Sequence, residues 1–227
     1  MPLTLAFPLR PSFGRMVTAA LIGGVAAGVV ATLLQQVLLV PLIFAAEALE
    51  AASAHADQGW APAAGFERAA ATLLFNCLAG VGFGMLLSGA YTLRGRVTWR
   101  QGILWALAGF VSFSVAPALG LPPELPGAHA AGLAARQGWW IATAAATAGG
   151  LAGLAFGRLP VKLAAIALLA APHIVGAPRA AVGTSEVPVH MAHAFAAGSL
   201  ATSAVFWLVL GLLVAWRLAR TNEGKLD

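Results

Sequence analysis

Six stretches of the chain are apolar over lengths that approach or exceed the roughly 20 residues needed to cross the hydrocarbon of a bilayer. They run approximately over Met16–Ala46, Ala69–Tyr91, Ile103–Leu119, Gly138–Gly157, Val161–Val175 and Met191–Trp216. The pattern predicts an all-α integral membrane protein, a bundle of six transmembrane helices forming one transmembrane domain. The first stretch is overlong, which predicts a tilted span or a helix that runs past the membrane and bends near Pro41. It also exceeds the roughly 7–15 residues of a signal-peptide core, so it is expected to be retained. The fifth stretch is the shortest and ends at Pro172 and Gly176.

Charge tests this division. If the N-terminal side is cytoplasmic, the inner segments hold Arg10 and Arg15, then Arg94, Arg96 and Arg100, then Arg158 and Lys162, then Arg217, Arg220 and Lys225. Those are ten of the 13 basic residues, and only Arg68, Arg136 and Arg179 fall on the other side. Cytoplasmic loops carry the excess of Lys and Arg. The alternation therefore predicts six spans with both ends inside. Dropping the fifth span would put the basic C-terminal tail outside.

Composition agrees. Hydrophobic residues make up 60% of the 227 and charged residues 9%, against about 25% charged in ordinary soluble domains. A soluble fold of this size could not hide so much apolar surface. The net charge of +5 does not point to nucleic acid, because the basic residues lie singly or in small groups between apolar stretches. The one cysteine, Cys77, leaves no intrachain disulfide and no cysteine-cluster metal site. No phosphate loop, nucleophile elbow or zinc-protease motif occurs, so the chain is not expected to be an enzyme.

Small residues recur four apart at Gly24 and Gly28, at Gly80 and Gly84, and at Gly149, Gly153 and Gly157. That spacing predicts close helix packing. A faint echo relates Ala116-Pro117 with Gly120 and Pro122 to Ala171-Pro172 with Gly176 and Pro178. It fits a repeat of helical hairpins or chance in a chain rich in Ala, Gly and Pro.

Side chains able to hold a metal gather on the predicted outer side. Glu47, Glu50, Asp57, Glu67, Glu124 and Glu186 fall there, and so do His55, His129, His173, His190 and His193. Leu121-Pro122-Pro123-Glu124-Leu125-Pro126-Gly127 is stiffened by its prolines. It either presents Glu124 and, five residues on, His129 as oxygen and nitrogen ligands, or is a helix stop with a solvated glutamate. His190 and His193 lie three apart, on one face of a helix starting near Pro188. They could share a divalent metal with Glu186, or be two solvated imidazoles. His173 follows Pro172 at the end of the fifth stretch and is either a ligand or a headgroup-level side chain. Gln35, Gln36, Asn76, Thr143, Thr147, Thr202 and Ser203 lie inside apolar stretches. Each lines a hydrated path or joins helices by hydrogen bonds, with Gln35 the best candidate for a path. Trp99, Trp139, Trp140 and Trp216 read as interface anchors.

The run Ala116-Pro117-Ala118-Leu119-Gly120-Leu121-Pro122-Pro123-Glu124-Leu125-Pro126-Gly127 resembles the CbtA family of bacterial probable cobalt transporter subunits. Arg136-Gln137-Gly138-Trp139-Trp140, the Thr-rich fourth stretch and Pro172-His173 to Gly176-Ala177-Pro178 agree with it. The resemblance covers nearly the whole chain. It implies a multi-pass protein of the bacterial inner membrane, linked to cobalt supply for cobalamin synthesis. It also implies a small one-span partner with a histidine-rich tail, CbtB. It strengthens Glu124, His129 and His173 as metal candidates but does not lift His190 or His193. The family is described with five spans, against the six that charge predicts.

Together these observations frame two readings. In the first the chain is a membrane permease subunit for divalent cobalt. Glu124, His129, His173, Glu186, His190 and His193 capture the ion, and a path past Gln35 and Asn76 carries it inward. In the second it is a non-transporting scaffold or assembly subunit of a metal-uptake complex. Either way no bound cofactor is expected, the metal being cargo, and the expected partners are lipid, a CbtB-like subunit and further copies of the chain.

Overall fold

The computed structural model describes residues 11–51, 62–94, 98–128, 130–180 and 187–223. Among them every regular element is helical. Helices α1 (Phe13–Leu38), α2 (Val40–Ala51) and α3 (Phe66–Arg94) open the chain, followed by α4 (Trp99–Phe110). A π-helical turn, Val111–Val115, runs from α4 into the short α5 (Ala116–Ala118). The chain continues through α6 (Leu133–Phe156), α7 (Leu159–Val175) and α8 (Val189–Glu223). A helix satisfies its own backbone hydrogen bonds, which is why apolar segments in lipid adopt it.

Five of these stretches are long and apolar enough to cross a membrane: Phe13–Leu38, Phe66–Thr92, Trp99–Ala118, Leu133–Phe156 and Val189–Arg220. The fifth stretch expected from sequence forms α7, which has 17 residues and rises about 26 Å, a few Å less than a hydrocarbon core of about 30 Å. The overlong first stretch is not one helix. It breaks at Leu39, two residues before Pro41, and resumes as α2. Pro41 has no N–H to donate, but Leu39 N–H to Gln35 O (2.9 Å) and Ile43 N–H to Leu39 O (3.0 Å) carry helical bonding across the break.

The chain forms two compact units. The first comprises Met1–Thr32, Pro62–Leu107 and Val205–Asp227, the second Leu33–Ala61 and Ala108–Ala204. In the first, α1 and α3 run antiparallel with their backbones in near contact. A Cβ added at Gly28 would lie 2.7 Å from the Cys77 Cα, and one at Gly84 would lie 2.9 Å from the Ala20 Cα. Gly24 and Gly80 face each other more closely still. Small residues permit this approach, and the approach supplies the dispersion contacts that hold helices together in lipid. The end of α8 packs in the same way on α4, with Gly211 against Ala106 and Gly102 against Ala215. Tyr91 is buried, its ring edge-on to Trp105 at 5.8 Å, and its hydroxyl donates to Gly211 O at 3.2 Å.

In the second unit α6 and α7 form an antiparallel hairpin. A Cβ at Gly150 would meet the Leu169 side chain, and one at Gly153 would lie 2.9 Å from the Ala165 Cβ. Gly176, at φ +84°, ends α7 in a left-handed conformation open to glycine, with its N–H on Pro172 O at 3.0 Å. A second cluster joins Ala46, Leu125 and Val187, with Leu42, Ile43, Met191, Ala192 and Phe195 packed against it. This cluster seats the Leu-Pro-Pro-Glu-Leu-Pro-Gly connection against α2 and the start of α8.

Large apolar side chains remain exposed on several helices, among them Phe75 at 71% and Leu104 at 67%. Such a surface suits acyl chains, not water. Trp99 stands at the start of α4 with Arg100 over its ring at 5.5 Å, and Trp216 lies two turns before the end of α8 with Arg220 over its ring at 4.3 Å.

The Gly28 contact is expected to tolerate no side chain. Gly28→Val should lower unfolding stability in detergent by about 2 kcal/mol, whereas Gly82→Ala, with open space at its Cβ, should be nearly neutral. Thermal midpoints of the two purified variants measure the difference.

Candidate functional site

The polar side chains that sequence places inside apolar helices have two kinds of partner. Most threonine hydroxyls turn back on their own helix. Thr18, Thr32, Thr72, Thr143 and Thr147 each donate to the carbonyl four residues earlier at 2.8 Å. A few groups reach across. In the first unit Asn76 Nδ2 donates to Thr32 Oγ1 at 2.9 Å, so this candidate path residue also joins α3 to α1. In the second unit Ser114 and Ser203 share a hydrogen bond of 2.6 Å.

Ser114 owes its position to the π turn. There the Ala116 N–H bonds Val111 O, five residues back. Pro117, which follows, has no N–H, so the turn ends with fewer donors than carbonyls. Widened turns of this kind often occur at functional sites. Beside it lies an open cleft of about 760 Å³, bordered by Ser114, Pro117, Arg136, Trp140, Ser199 and Ser203. Its walls are mainly apolar, with the two bonded serines as a polar floor.

At the rim of this cleft Arg136 Nη2 donates to Glu124 Oε2 at 2.7 Å, both side chains being about 30% exposed. Glu124 is therefore held in an ion pair that spacing alone did not reveal. Exposed pairs of this kind contribute at most about 1 kcal/mol. Gly127, at φ +76°, makes the turn that closes the connection. On the α6–α7 hairpin Trp139 Nε1 donates to Pro172 O at 3.3 Å, and its ring lies edge-on to the His173 ring at 6.1 Å. The Trp140 ring is 6.1 Å from Phe113. The two tryptophans of the Arg136–Trp140 motif thus pack within the second unit, besides any anchoring they supply.

The expected metal ligands are only partly in view. His129 and Glu186 lie outside the described residues. His173 is exposed at the end of α7, and His190 and His193 are exposed near the start of α8. Gln35 is half-buried near the end of α1. Among the described residues no group of three or more His, Cys, Asp or Glu comes together to hold a metal ion. Sequence reasoning missed Ser114 and the partnership of Arg136 with Glu124. The signal for the first was the Ser-x-Ser pair just before Pro117.

Set against known proteins, residues 13–219 match the model of one family, CbtA, described as a probable cobalt transporter subunit. The chain belongs to the CbtA family. No curated protein and no solved structure matches it. This CbtA chain is a multi-pass membrane protein by its apolar helices, and its family is one of transporter subunits, not of enzymes. The Glu124–Arg136 pair, the Trp139–His173 contact and the Ser114–Ser203 bond all fall within the matched region.

Hydrogen bonds between membrane helices average about 0.6 kcal/mol. Ser114→Ala and Ser203→Ala should each cost about that much, and the double variant should cost no more than either alone. Denaturant unfolding of the three variants tests this.

Proposed function

We propose that this chain is the permease subunit of a divalent-cobalt uptake system in a bacterial inner membrane, with both termini cytoplasmic. The observation that carries the proposal is the family match over residues 13–219. The one-sided distribution of basic residues supports the orientation.

Cobalt(II) takes imidazole and carboxylate ligands. In this reading the outer side chains Glu124, His129, His173, Glu186, His190 and His193 capture the ion and remove part of its water. His190 and His193 are exposed and three residues apart on α8, so they are positioned to meet it first. Glu124 is held by Arg136 and exchanges that partner for the cation. Gln35 and Asn76 then offer neutral polar contacts inside the apolar helices. Glu47, Glu50, Asp57 and Glu67, which the charge pattern assigns to the same outer side, raise the local cation concentration. The membrane potential, negative inside, favours entry by about 2.3 kcal/mol per charge per 100 mV, which is twice that for a divalent ion. A one-span, histidine-rich subunit of the CbtB kind is the partner this reading implies.

Radiolabelled cobalt uptake by cells carrying the gene tests the proposal. At equal expression the Glu124→Ala/His173→Ala double variant should take up roughly ten-fold less cobalt than the parent, the loss expected when about 1.4 kcal/mol of ligand interaction is removed. Equal uptake would overturn the capture role and favour a non-transporting assembly subunit.

A further inference from the structure

Thr202 is the exception to the pattern its neighbours set. It is 3% exposed, and among the described residues its Oγ1 is the one buried side-chain polar atom without a hydrogen-bond partner. The threonines at 18, 32, 72, 143 and 147 fold back on the carbonyl four residues earlier. Thr202 does not. An unbonded hydroxyl in an apolar interior is costly, and such a group calls for a water, an ion or a functional role.

The register of the second unit shows what Thr202 faces. Leu42, Ile43 and Ala46 of α2 share a cluster with Met191, Ala192 and Phe195 of α8. One turn earlier, a Cβ added at Gly198 would lie 2.9 Å from Leu39 Cδ2. The chain thus descends from Ala46 to Leu39 as its partners on α8 advance to Gly198. Helical bonding continues from Leu39 to Gln35. Extended by one further turn in each direction, that register puts Gln35 at the level of Thr202.

The helical wheel gives the other half. At about 100° per residue, Thr202 lies about 40° round α8 from Gly198, Ser199 about 100° and Ser203 about 140°. Gly198 points at Leu39, and Ser199 and Ser203 border the cleft. Thr202 therefore occupies the arc of α8 between the cleft and α1. Ser199, Ser203 and Thr202 thus lie on adjoining faces of α8, and the one that does not border the cleft is the unpartnered one.

We propose that Thr202 Oγ1 is an interior contact of the ion path, accepting a hydrogen bond from the coordinated water of a partly hydrated divalent cation as it passes from the cleft to Gln35. The inference rests on the cobalt-permease reading and adds a residue and a route to it. Neutral oxygens suit this task, because they hold the water shell of the ion without trapping the ion as a carboxylate would.

The test compares Thr202→Val, which keeps the shape and removes the hydroxyl, with Thr202→Ser, which keeps the hydroxyl. Cobalt uptake is measured in cells at equal expression, and the thermal midpoint is measured on the purified chain. Thr202→Val should cut the uptake rate at least five-fold with its midpoint unchanged or raised, and Thr202→Ser should keep more than half the parent rate. Thr202→Val uptake within two-fold of the parent overturns the inference alone and makes the hydroxyl a packing defect. A lowered Thr202→Val midpoint with Thr202→Ser as slow as Thr202→Val overturns it in favour of a structural role. A parent chain that moves no cobalt overturns the permease reading, and this inference with it.

Discussion

Within a bilayer there is no water to drive helices together, so two helices stay paired only where their surfaces can touch closely. The contact of α1 with α3 meets that requirement at Gly24, Gly28, Gly80 and Gly84, where backbone lies against backbone. Such proximity fixes the relative height of the two helices. It sets Asn76 level with Thr32, so that one hydroxyl both donates to Gly28 O and accepts from an amide. The α6–α7 hairpin uses the same device at Gly150 and Gly153, and there it brings the Trp139 indole to Pro172 O and the His173 ring. The positions of the polar groups thus follow from where side chains are absent.

Among the described residues buried polar side chains are few, and Thr202 Oγ1 is the one buried side-chain polar atom without a hydrogen-bond partner. Six threonines are bonded to their own helices and so carry little information about neighbours. Cross-helix bonds include Ser114–Ser203 and Tyr91–Gly211. Against that background an ion pair at the cleft rim and an unbonded hydroxyl behind its floor are conspicuous. The second unit contains both, together with the proline-framed connection from Leu121 to Gly127.

The helices were legible because their apolar runs are long and their small-residue spacing regular; α3 and α6 begin and end within a few residues of expectation. The break at Leu39 was legible only as a bend near Pro41, since sequence marks the missing N–H but not where the helix yields. The shortness of α7 was visible in its ending at Pro172 and Gly176, yet charge alone argued for a full span. Glu124 was identified as important, but its pairing with Arg136 was hidden, because the eleven residues between them give no local rule for their meeting. The π turn was hidden too. Its bond from the Ala116 N–H to Val111 O leaves no mark in the periodicity along α4.

That turn sets the phase of the helix it ends. Gly102 and Ala106 of α4 face α8. In an uninterrupted α-helix the position eight residues beyond Ala106 would be rotated about 80° away, at 100° per residue. The widened turn absorbs one residue, which cancels most of that rotation and returns Ser114 to the α8-facing side. Without the extra residue the bulky ring of Phe113 would occupy that bearing, and the hydroxyl would point elsewhere. A single residue of slack in the winding thus decides whether α4 offers α8 a benzyl group or a hydrogen bond.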